Sequence, residues 1–379
     1  MKTGKTIYVL IIIIAIGCSE INEKSSPSKS SKLYLGADLS YVNEMEDCGG
    51  SYRANGELVD PFEFFKSQGS NIVRVRLWHT PNWTGYSDYD DVVKTISRVK
   101  NAGMETLLDF HYSDTWADPG DQIIPAAWKG LNDEILADSL YQYTYKTLIS
   151  LNAKGLLPEF VQIGNETNSE ILLEEHVDEL TEPINWSRNI LLFNAGLKAV
   201  EDVEKELAQK IESMLHIAQP EFAFPWFSQA IRSGLSDFDW IGLSYYPLWS
   251  KYQIPEAATA IDSIIQTFNK PLMVIETAYP YTIEEFDDAN NILWHSAVLD
   301  GYPATPQGQL KYMQDLTQQV ISGGGSGVIY WEPAWISTEC KTLWGTGSHW
   351  ENATFFDAAN NNEALITFEF FDQSKYASQ

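Results

Sequence analysis

From Leu33 onward, short runs rich in Val, Ile and Leu alternate with longer stretches whose apolar residues return every three or four positions. That order predicts parallel strands joined by crossover helices. Eight such runs are present: Leu33 to Asp38, Asn71 to Trp78, Met104 to His111, Phe160 to Glu166, Ile211 to His216, Trp240 to Tyr245, Leu272 to Glu276 and Val328 to Glu332. Eight β/α units predict closure into a (β/α)8 barrel, a single α/β domain over residues 33–379.

The helices carry their own punctuation. Asp60-Pro61 and Thr305-Pro306 each place a capping side chain before a proline suited to the first helical position. Gly69, Gly103 and Gly155 stand where such helices must stop, and Val92, Val93, Ile96 and Val99 give the crossover after the second strand one apolar face. Asn360 to Phe371, the eighth helix by count, lacks a clean period. In the second strand Ile72, Arg74, Arg76 and Trp78 share one face, and Val73, Val75 and Leu77 the other. The apolar face suits the helices, which sends both arginines toward the barrel axis.

Residues 1–17 do not belong to this pattern. Lys2 and Lys5 precede an uncharged run from Ile7 to Ile16, too short to span a bilayer and read as an export signal. The run closes Ala15-Ile16-Gly17-Cys18, which resembles a bacterial lipobox, with Cys18 the lipidated residue. The polar, Ser-rich stretch at 18–32 then reads as a tether. The expected location is the bacterial cell envelope, lipid-anchored, at the outer membrane or cell surface. An oxidising compartment permits Cys48 and Cys340 to pair, and two positions alone leave that open.

Charge and aromatic content narrow the partners. With 52 acidic against 25 basic side chains the formal charge is -27, which repels nucleic acid and disfavours strongly anionic substrates. The 13 Trp and 19 Tyr suit the apolar CH faces of neutral sugars, with plain core packing as the alternative for each ring. A membrane contact through the N-terminal lipid, a neutral polysaccharide partner and a monomeric state complete this expectation.

Barrel enzymes set their reacting groups at the carboxyl ends of strands. The fourth run ends Gly164-Asn165-Glu166 and the seventh ends Ile275-Glu276, so two carboxylates reach one rim. Glycoside hydrolysis needs such a pair, one protonated to serve the leaving oxygen and one ionised, about 5 to 5.5 Å apart when configuration is retained. Asn165 is placed to hold the sugar 2-hydroxyl, and Arg74 to keep Glu276 ionised; a structural ion pair with Asp38 or Asp109 is the other reading for the two arginines. Further sugar-contact candidates are Asp109, His111 and Trp116 after the third strand, Tyr245 after the sixth, and Trp331 and Trp335 after the eighth; Tyr245 and Tyr246 close the sixth strand, where a tyrosine hydroxyl can orient the nucleophilic carboxylate. His111 lacks a His-x-His or HExxH setting, so no metal-dependent reaction is expected.

The pairing of Asn165-Glu166 with Glu276 resembles the clan A retaining glycosidases. The segments Gly36 to Tyr41, Val73 to Trp78, Asp109 to Pro119, Val161 to Glu166, Glu276 to Pro280 and Tyr330 to Ile336 are similar to family 53 of that clan, the endo-β-1,4-galactanases. The resemblance implies Glu166 as acid/base, Glu276 as nucleophile, net retention, and internal cleavage of pectic galactan or type I arabinogalactan, with no cofactor required. Alternatives are another clan A endo-glycanase acting on mannan or glucan, or a surface glycan-binding lipoprotein without turnover. Several bacterial members hold calcium through an Asp-x-Asp-x-His-x-Asn stretch, where this chain reads Asp287-Asp288-Ala289-Asn290-Asn291, which leaves a structural calcium as an open expectation. Ser337 to Asn352 also departs from the family pattern.

Overall fold

The computed structural model describes residues 32–176 and 183–377. The proposed signal at 1–17, Cys18 and nearly all of the tether lie outside the described residues. Within them, eight parallel strands close into a ring: Tyr34–Asp38, Ile72–Leu77, Glu105–Phe110, Phe160–Ile163, Glu212–Ala218, Trp240–Ser244, Leu272–Glu276 and Gly327–Tyr330. The eighth strand pairs with the first, Tyr34 opposite Gly327, so no sheet edge remains in the barrel. The strands agree with the hydrophobic runs to within a few residues at their ends.

Side-chain alternation divides the interior into layers. At the amino end Tyr34, Phe160 and Trp240 meet edge to face with centroids 5.3 to 6.0 Å apart, and Ile72, Met214 and Ile275 fill the space between them. Gly242 leaves room for this plug, since a Cβ there would lie 2.7 Å from Cδ1 of Ile275. One pleat further along, Ile72 gives way to Arg74 and then Arg76, both buried and inward as the sequence predicts. The outward face packs under helices, among them Tyr89–Asn101, which buries Val92, Ile96 and Val99 and is capped by Asp88.

Asp60 and Thr305 cap their helices, Pro61–Ser67 and Pro306–Ser322, by accepting from Glu63 N and Gly308 N. The eighth crossover is not an α-helix. Its place is taken by 3-10 turns, chiefly Ile366–Phe371, whose Phe368, Phe370 and Phe371 are buried against Phe65 and Phe355. A small four-stranded sheet built from Tyr52–Ala54, Glu57–Val59, Phe356–Asp357 and Glu363–Ala364 joins the first loop to the last. The same two loops are tied by a disulfide between Cys48 and Cys340, with Cα atoms 5.5 Å apart.

Candidate active site

The site is organised by one guanidinium. Arg74 Nη1 lies 3.0 Å from Asp38 Oδ2 and 2.7 Å from Glu276 Oε1; Nη2 donates to Asp109 Oδ2 (2.7 Å) and Asn165 Oδ1 (2.6 Å), and Nε to Gln162 Oε1 (3.1 Å). Strands one, two, three, four and seven therefore converge on a single buried cation. Three carboxylates around one arginine hold it charged, and its charge in turn draws protons away from Glu276.

Glu276 ends its strand and Glu166 follows the fourth strand after a sharp turn, with φ of 81° at Gly164 and 44° at Glu166. Both carboxylates line one cleft of about 720 Å³. Their surroundings differ. Burial raises Glu276 to about 7 against the pull of Arg74. Burial and the charge of Glu276 push Glu166 well above the carboxylate range, with only a donor from Ser244 and a weaker pull from Arg74 in opposition. The proton shared by this coupled pair therefore resides on Glu166, and Glu276 is the first to ionise.

Behind Glu166 stands a polar chain. Ser244 Oγ donates to Glu166 Oε1, and His216 Nε2 lies 2.9 Å from Ser244 Oγ. His216 Nδ1 is 2.9 Å from Asn165 Oδ1 and accepts from Glu166 N at 3.2 Å. Burial and Arg74 hold this imidazole neutral. His216, Ser244 and Gln162 carry no spacing signal in the sequence, because each lacks the i, i+2 repeat that marks Arg74 and Arg76.

Trp116, Asn165, Trp331 and Trp335 line the cleft as expected. Trp335 stacks on Tyr41 with centroids 3.9 Å apart, and Asn165 Nδ2 donates to Ala117 O, with no second acceptor for it among the described residues. Arg74, Asp109 and His111 do not line it; they sit one layer below. His111 Nε2 contacts Asp109 Oδ2 at 3.0 Å and its Nδ1 accepts from Ala117 N at 3.1 Å, so the ring fixes a loop instead of a sugar or a metal. Arg76 takes neither Asp38 nor Asp109. It reaches Glu332 at 3.2 Å and lies within 4.2 to 4.7 Å of the ring centroids of Tyr41, Trp78 and Trp116.

Tyr245 corrects another expectation. It is turned outward into the core, donating to Tyr252 O at 3.0 Å. Ser244 faces the axis, so alternation points Tyr245 away and returns Tyr246, whose hydroxyl lies 3.5 Å from Glu276 Oε2.

Of the loop residues weighed for calcium, Asp287 is engaged by the protein itself. Both oxygens of Asp287 already accept protein donors, from Ala289 N (2.8 Å), Ser337 Oγ (2.6 Å) and Ser348 N (2.7 Å). Glu351, raised to about 7 by burial and by Asp287 beside it, accepts at Oε1 from Phe286 N and Asn291 Nδ2, while its buried Oε2 meets no donor among the described residues. Among the described residues no group of three or more His, Cys, Asp or Glu is arranged to hold a metal.

With this geometry in hand, comparison with known proteins is specific. The chain is 57% identical over 347 residues to an arabinogalactan endo-beta-1,4-galactanase of Cellvibrio japonicus, covering 91% of this chain and 92% of that protein. It is 36% identical to an endo-beta-1,4-galactanase of Bacillus subtilis, covering 88% and 82%. Among solved structures, the Ignisphaera aggregans GH53 catalytic domain superposes with a TM-score of 0.81 at 31% identity, covering 93% of this chain and 98% of that one. A fungal beta-1,4-galactanase gives 0.76 at 30%, covering 90% and 99%. The sequence profile of glycosyl hydrolase family 53 matches residues 34–371, which takes in all eight strands and both cleft carboxylates, and the chain belongs to that family.

Proposed function

We propose that the chain is a retaining endo-β-1,4-galactanase acting on pectic galactan or type I arabinogalactan. The observation that carries the chemistry is the asymmetry of the two carboxylates: Glu276 touches Arg74 and Glu166 does not. Glu276 attacks the anomeric carbon while Glu166 gives its proton to the departing glycosidic oxygen. Glu166, now a base, takes a proton from water, whose oxygen displaces Glu276 from the sugar with net retention. Asn165 offers its free N–H to the 2-hydroxyl, and Tyr246 steadies the nucleophile.

The galactan assignment is supported by the names of the relatives and by a tryptophan-lined cleft without Lys or Arg, which suits an uncharged sugar chain. Incubation with potato galactan, mannan and cellulose tests the reading: new reducing ends and short oligosaccharides are expected from galactan alone. Binding of galactan without new reducing ends would reject an enzyme.

We further propose that residues 1–17 are an export signal, that Cys18 carries the lipid, and that the enzyme is held at the outer membrane as a monomer. The Lys-led apolar run and the lipobox-like Ala15-Ile16-Gly17-Cys18 support this. Cys18→Ala should release the protein from the membrane fraction; continued sedimentation with membranes would refute the anchor.

A further inference from the structure

The fifth strand hands over to helix Pro220–Arg232 through Gln219, whose φ of 61° and ψ of 134° form a backbone conformation that side-chain-bearing residues avoid. Strain of this kind persists only where the surroundings over-determine it, and it collects at functional positions. Three contacts hold it here. Gln219 N donates to Ser244 O (2.9 Å), its carbonyl accepts from Phe222 N (3.2 Å), and its side-chain Oε1 accepts from Tyr246 N (3.1 Å). Because Tyr246 N requires an acceptor, the amide can be oriented in only one way, with Nε2 opposite.

Gln219 is 5% exposed, and what remains exposed lines the same cleft as Glu166 and Glu276. No acceptor in the described residues meets its Nε2. A buried amide with its oxygen committed and its two N–H groups turned to an open cleft awaits an acceptor from a ligand. The ring order says which part of the ligand. Strands five and six, carrying Gln219 and Tyr246, occupy the shorter arc between Glu166 on strand four and Glu276 on strand seven. The opposite arc carries Trp116 and Trp331, which leaves that side of the cleft to the sugar that becomes bonded to Glu276.

We propose that Gln219 is a specificity residue whose Nε2 donates to a hydroxyl of the departing sugar, and that Phe222 and the half-exposed Trp249 flank that sugar in the cleft. The proposal rests on the galactanase reading above for the identity of the sugar. It accounts for the strained backbone, which a residue serving only as a helix entry would not need.

Gln219→Gly is the informative variant, because glycine adopts this backbone conformation without strain and the fold is retained. Its kcat/KM should be compared on galactan, where a sugar departs, and on a nitrophenyl β-1,4-galactobioside, whose leaving group has no hydroxyl to accept the bond. Loss of one hydrogen bond predicts a fall of roughly five- to tenfold more on galactan than on the aryl glycoside. Gln219→Asn, too short to span the gap, should resemble Gln219→Gly. Equal losses on both substrates, or full activity on galactan, would overturn the role of Gln219. Wild-type protein that leaves galactan intact would instead sink the substrate reading, and the same ratio is then read on whichever glycan it cuts.

Discussion

At the scale of single residues, the site works by giving two like groups unlike neighbours. Glu166→Ala and Glu276→Ala should each lower kcat on galactan by at least about a thousandfold with the circular dichroism spectrum preserved, since each removes a covalent or proton-transfer step. The pH profile follows from the same neighbours. Activity rises as Glu276 loses its proton, near 7 in the free enzyme, and falls once Glu166, held higher by burial, loses its own. Ser244 donates to the ionised form of Glu166 and so lowers its proton affinity. Ser244→Ala should move the alkaline limb of kcat/KM to higher pH and leave the acid limb in place; an alkaline limb that stays or moves down contradicts the assignment. The alternating pattern of the second strand was enough to send Arg74 inward toward Asp38, Asp109 and Glu276, but not to show that it meets these together with Gln162 and Asn165. Two tyrosines close the sixth strand, and only the phase set by Ser244, which faces the axis, decides that Tyr246 and not Tyr245 reaches Glu276.

At the scale of elements, strands and caps were legible because each needs only local rules, a two-residue period or a side chain before a proline. The barrel plug needed more. Gly242 is small because Ile275 and Met214 fill the volume a side chain would need, and nothing in its own neighbourhood of sequence reports that. Gly242→Val should cost roughly 1–3 kcal/mol in urea unfolding through overpacking, with unchanged KM in the folded fraction. The missing eighth helix has a similar cause. Phe368, Phe370 and Phe371 bury themselves in 3-10 turns against Phe65 and Phe355, a spacing that no 3.6-residue period describes.

At the scale of the whole molecule, the first and last loops are joined twice, by the small sheet and by Cys48–Cys340. The cysteines were visible in the sequence, but their pairing depended on long-range proximity that two positions do not encode. Cys340→Ser should lower stability by roughly 2–4 kcal/mol in guanidinium unfolding, the usual scale for a native crosslink. Chelation should leave the thermal midpoint unchanged, because Asp287 is already satisfied by protein donors; a fall on adding EDTA that calcium restores would reverse this view of the loops.

The crosslink also bears on how the molecule is made. Its two sulfurs are separated by 292 residues, and the second arrives only after the last barrel strand. Throughout most of synthesis Cys48 is a thiol without its partner, open to capture by Cys18, by small thiols or by another chain. An oxidase acting too early has nothing correct to join, so material produced in a reducing cytoplasm and oxidised afterwards should contain fewer mispaired species than material oxidised while it emerges.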